Sequence, residues 1–200
     1  MAQADAIPAI RPPGPRQRWA SVLVLLFGLV GVLLGLVMRE QVSGATVAYS
    51  NLQAGINVSY PANWLLEEGG RDFVFRIRDL SAPGFATTLQ VAVHPVSAER
   101  TARNLFDASA LQRSRSLAAY TIIAEQPYRL PGGQVTKALR YFYVSTGDNP
   151  FLDSMPAIVD GLDILIIERD QALEITWRAD AESFEREMHH LQRFLASLDF

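Results

Sequence analysis

The residues best equipped for chemistry are few. The 200-residue chain has three histidines and no cysteine. That excludes disulfides, thiolate metal sites, a cysteine nucleophile and a lipid-modified cysteine anchor. His189 and His190 are adjacent, with Glu185 one turn before His189. A helical zinc site places two histidines at i and i+4 on one face, whereas neighbours on a helix project about 100° apart. The pair therefore reads as a solvated helix face and not as metal ligands. His94 precedes Pro95 at the end of a strand-like run. Asp160 and Asp163 could pair as acids, but Asp160-Gly161 is itself a turn signal, and both read as turn residues. No G-x-S-x-G elbow presents a serine, and no glycine-rich loop is available to cradle phosphate. The residues alone predict no enzyme, no metal and no cofactor.

Binding residues are easier to nominate. Tyr128, Tyr141, Tyr143 and Trp177 could line a pocket between a sheet and a helix for a lipid or small apolar ligand, or they could simply fill the core. The stretch 145–156, STGDNPFLDSMP, is longer than a hairpin needs and carries Phe151, Leu152 and Met155 among turn formers. Apolar residues on such a loop either contact a partner or tuck back over the sheet edge. Gly28, Gly31 and Gly35 fall at i, i+3 and i+7. They line one helix face and include a GxxxG that lets two membrane helices approach, so a homodimer through this helix is one reading; the other is that glycine is common in such helices.

The elements around these residues are set by hydropathy. From Trp19 to Met38 the chain runs twenty residues without a charge, about 30 Å of helix and the thickness of a bilayer core. Arg11, Arg16 and Arg18 precede it, so the positive-inside rule predicts a cytoplasmic N-terminus and an extracytoplasmic remainder. A cleaved signal peptide is the competing reading, but the apolar run exceeds the usual 7–15 residues. Residues 1–18, with four prolines, read as a disordered cytoplasmic tail, 19–38 as a single-pass transmembrane helix, 39–54 as an aperiodic linker and 55–200 as one domain. The net charge of −3 argues against nucleic acid as a partner.

Within the domain, alternation marks strands at 55–60, 72–79, 87–93, 120–125, 134–146, 162–167 and 173–177. Leu105, Phe106, Leu111 and Leu117 suggest a helix over 98–118. Phe184, Met188, Leu191, Leu195 and Leu198 make a second amphipathic helix, with Asp180 as its expected N-cap. Strands 134–146 and 162–167 are apolar on both faces and need cover on both. The expected fold is α+β: an antiparallel sheet of about six or seven strands sandwiched between two helices, preceded by one transmembrane helix.

The opening Gly55-Ile56-Asn57-Val58-Ser59-Tyr60-Pro61-Ala62-Asn63-Trp64 and the closing Leu195-Ala196-Ser197-Leu198-Asp199-Phe200 resemble PsbP-like domains over about residues 54–200. That superfamily includes the photosystem II extrinsic subunit and the Ran release factor. The resemblance implies an α/β/α sandwich acting as a binding or assembly module without enzymatic chemistry. Tyr60, Pro61 and Trp64 match the motif, and a structural role is expected of them. The function predicted is a membrane-tethered extracytoplasmic accessory module contacting a protein partner in a membrane complex.

Overall fold

The computed structural model describes residues 15–70, 72–82, 84–96, 102–146, 156–168 and 171–200. Two units divide between Gly44 and Ala45. The first holds helix α1 (Pro15–Ser43), 29 residues long. Its described side chains are Trp19 and those of residues 22–36, which rise about 22 Å, and all are exposed. Among the described residues no helix is long and apolar enough to cross a membrane. The face bearing Gly28, Gly31 and Gly35 is open, with nothing within 4 Å of where a Cβ would sit.

Residues 39–54 are not an aperiodic linker. The linker expected over 39–54 contains the end of α1 and strand β1 (Thr46–Asn51). β1 pairs antiparallel with β2 (Ile56–Pro61) in a two-stranded sheet. The turn Leu52-Gln53-Ala54-Gly55 separates the strands, and Tyr49 supplies the only buried side chain of β1. So short and one-sided a strand leaves little periodicity to read. β3 (Leu65–Glu68), also unanticipated, is the four-residue edge of the main sheet. β4 (Phe75–Asp79) and β5 (Thr87–Pro95) follow, then α2 (Ala102–Ser116). The long strands β6 (Ala118–Arg129), β7 (Val135–Ser145), β8 (Ala157–Glu168) and β9 (Gln171–Asp180) form a meander, and α3 (Phe184–Ser197) closes the chain.

The seven-stranded sheet has the order β3-β4-β5-β9-β8-β7-β6, and every neighbouring pair is antiparallel. β9 lies at its centre, and β8 and β9 are buried on both faces. That requires cover on both sides. One face meets α3 and the β1–β2 hairpin: Ile56, Val58, Tyr60 and Trp64 pack with Leu173, Ile175, Trp177, Phe184, Leu191 and Phe194. Trp64 stacks on Trp177 with ring centroids 6.0 Å apart. This is the structural role expected of the Y-P-x-x-W motif: a large indole sealing the layer. The hairpin is tied to the C-terminus by paired backbone bonds of 2.9 Å between Asn57 and Asp199. Ser197 Oγ also accepts the Ser59 N–H at 3.0 Å.

Two further expectations are corrected. Asp160 and Gly161 are not in a turn but within β8. Gly161 is the register partner of Tyr141, and a Cβ there would overlap the Tyr141 ring. Glycine is present because the ring lies across the strand, not because the chain reverses. Asp180 ends β9 and does not cap the helix; its Oδ1 accepts the Glu182 N–H at 3.0 Å in a local turn, and α3 begins four residues later at Phe184, behind Ser183.

Candidate functional site: a polar cleft beneath helix α2

The other face of the sheet meets α2 through two small apolar clusters. Phe106 packs with Leu139, Leu165 and Ala172, and Leu117 packs with Tyr141, Tyr143 and Val159. Between them, on the same stripe of α2 at i+7 from Phe106 and i−4 from Leu117, stands Arg113. Leu111, expected on that stripe, is 55% exposed. Arginine thus replaces leucine at the position facing the sheet, and the reason lies opposite it.

Asp163 on β8 and Thr176 on β9 are register partners, and Glu174 lies two residues before Thr176 on the same face. All three are buried. Arg113 Nη1 donates to Asp163 Oδ2, while Nη2 reaches Glu174 Oε1 at 3.2 Å and Thr176 Oγ1 at 3.4 Å. The guanidinium also lies 4.9 Å from the centroid of the Tyr141 ring. Glu174 Oε2 is bonded in turn to His94 Nε2 at 2.9 Å and accepts from the Ser109 hydroxyl at 3.3 Å. Two buried carboxylates sharing one guanidinium are costly, and Asp163 Oδ1 is buried without a hydrogen-bond partner among the described residues.

Burial pushes the Asp163 carboxyl up to about 6, against the attraction of Arg113. Burial acts on Glu174 in the same sense, but the His94 hydrogen bond and the Arg113 charge outweigh it and hold that carboxyl below its ordinary value. The Tyr141 phenol is raised, chiefly by burial and then by the Asp163 charge.

Beside this network a cleft of about 570 Å³ opens between α2 and strands β4, β5 and β9. Arg76, Gln90, His94, Arg113 and Arg178 line it. The arrangement can position an imidazole and hold charge. Ser109 gives its proton to a carboxylate and not to an imidazole, so it is not set up as a nucleophile. Among the described residues no group of three histidine, aspartate or glutamate side chains is placed to hold a metal ion.

The residues nominated from sequence fall elsewhere. Trp177 and Tyr128 belong to the α3 side of the sheet, whereas Tyr141 and Tyr143 belong to the α2 side. The structure does not bring the four into one pocket. Asp160 and Asp163 lie on opposite faces of β8, the former bonded to Arg140 Nη2 at 3.1 Å. His190 packs on Trp64 with centroids 5.2 Å apart, and His189 donates from Nδ1 to the Arg186 carbonyl at 2.8 Å. Phe151, Leu152 and Met155 lie outside the described residues. Sequence reasoning missed Arg113, Glu174, Thr176 and Arg178. The available signal was polar residues alternating along β9, a strand that central placement would bury on both faces.

No protein-family profile and no curated protein matches the chain. Solved structures do. The cyanobacterial PsbP protein (CyanoP) of Synechocystis sp. PCC 6803 superimposes with a TM-score of 0.56 at 16% identity, covering 78% of this chain and 92% of that one. LpqN, involved in cell envelope biogenesis of Mycobacterium tuberculosis, matches at 0.49 and 13%, covering 77% and 89%. The Ran-binding protein Mog1p of Saccharomyces cerevisiae matches at 0.45 and 11%, covering 78% and 95%. The chain has the PsbP-like fold.

Proposed function

We propose that the chain is a membrane-tethered, extracytoplasmic accessory module that binds a protein partner and performs no catalysis. The observation that carries this reading is the surface of α1. From Val22 to Leu36 every side chain is apolar or glycine and every one is exposed, which water disfavours at about 25 cal/mol per Å². The uncharged sequence extends further, from Trp19 to Met38, long enough to span a bilayer. Anchoring by residues 19–38 leaves 1–18 in the cytoplasm and 55–200 outside, by the arginine excess before the span. Confinement at the surface raises the effective concentration of the domain beside membrane partners.

The fold supports the accessory role by analogy alone. In this reading Phe151, Leu152 and Met155 on the long β7–β8 connection make the partner contact. The test is affinity recovery after gentle detergent extraction. A stoichiometric partner is expected, lost in a Phe151→Asp/Leu152→Asp variant that still reaches the membrane fraction. Recovery of the protein alone, or undiminished recovery of the partner with the variant, contradicts the reading.

A further inference from the structure

Arg178 projects from β9 into the polar cleft, and its surroundings hold a surplus of donors. Its Nη2 donates to Gln90 Oε1 at 3.4 Å, and Arg76 Nε donates to the same oxygen at 3.2 Å. Two cations therefore draw on one neutral amide oxygen. Arg76 has Glu67 as a second partner at 3.5 Å. Arg178 forms no ion pair among the described residues, and its buried Nε has no hydrogen-bond acceptor. An enclosed, unanswered guanidinium donor is costly. The acids lining the cleft do not answer it: Glu174 is committed to Arg113, His94 and Ser109, and Asp72 lies exposed at the rim.

We propose that the cleft between α2 and strands β4, β5 and β9 binds a small molecule bearing a carboxylate or phosphate group, with the oxyanion seated on the guanidinium of Arg178. Two oxygens of such a group match the fork of an arginine, and an anion would supply the charge partner that Arg178 lacks among the described residues. Arg76 adds positive charge across the cleft. Arg113 engages Glu174, the buried carboxylate that lines the cleft. The opening of about 570 Å³ is of the size that takes a small metabolite.

The test is isothermal titration of the full-length chain in mild detergent with inorganic phosphate and, separately, with citrate, each against sodium chloride at equal ionic strength. Saturable one-to-one binding of at least one anion is expected. A response to citrate alone assigns a carboxylate ligand, and a response to phosphate alone assigns a phosphate. Arg178→Gln should weaken binding at least about tenfold, while Arg129→Gln, on the exposed edge strand, should leave it unchanged. Arg178→Lys keeps the charge without the fork and serves if the glutamine variant fails to fold; it too should bind more weakly. No saturable binding by the wild-type chain overturns the proposal, as does equal affinity in either Arg178 variant. Because the measurement needs neither membrane nor partner, its failure leaves the tethered-module reading untouched.

Discussion

Asp163 and His190 are both pushed by burial toward their neutral forms, and as acid and base they respond to pH in opposite directions. Asp163 carries a folded-state value of about 6, so the native protein holds this proton more tightly than the unfolded chain. Its contribution therefore gains stability as pH falls from about 6 through the ordinary carboxylate range. His190, packed against Trp64 and beside the charges of His189 and Arg193, is lowered from 6.5 to about 4 by burial first and those charges second. The unfolded chain takes up that proton first, so stability is lost as pH falls from 6.5 toward 4. With the ring in partial contact with water, the His190 effect is on the order of 1–2 kcal/mol. His190→Gln should flatten or reverse the fall in thermal midpoint between pH 6.5 and 4.5. Parallel wild-type and variant profiles would contradict this assignment. Arg113 was illegible in the sequence for a related reason: leucines at 111 and 117 satisfy a helical pattern by themselves, and only the carboxylates of two later strands explain an arginine facing the sheet.

At the scale of elements, legibility followed burial. β2, β5 and β9 alternate cleanly because one of their faces is apolar core, and α3 carries a continuous apolar stripe. β1 and β3 are short edges with few buried residues, so little in their sequence distinguishes them from loops. β8 was readable as a strand only in its second half, because Asp160-Gly161 carries the local chemistry of a turn. Cross-strand packing overrides that local preference: the Tyr141 ring occupies the space that a side chain at 161 would need. Gly161→Ala should therefore destabilise by about 1–3 kcal/mol through overpacking. Tyr141→Ala in the same background would relieve the clash, so a double-mutant cycle should show strong coupling. Additive effects of the two substitutions would show that the ring does not dictate glycine.

For the whole molecule, the chain divides into a unit from Met1 to Gly44, whose described helix side chains are all exposed, and a folded unit from Ala45 to Phe200. The PsbP-like sandwich was legible because strands 134–146 and 162–167 demanded cover on both faces and the two end motifs meet at Asn57 and Asp199, while Trp64 stacks on Trp177 of β9. The polar cleft was not legible, since it depends on which rows of β4, β5 and β9 come into register. Localisation is the claim on which the proposed role depends, and the cysteine-free sequence permits a direct measurement. Single cysteines placed by Asp5→Cys and Glu182→Cys should react differently with a membrane-impermeant maleimide in intact spheroplasts. The account predicts labelling at 182 before lysis and at 5 only after it, with both proteins in the membrane fraction. Protection at 182 until lysis, or recovery of full-length protein in the soluble fraction, would contradict it.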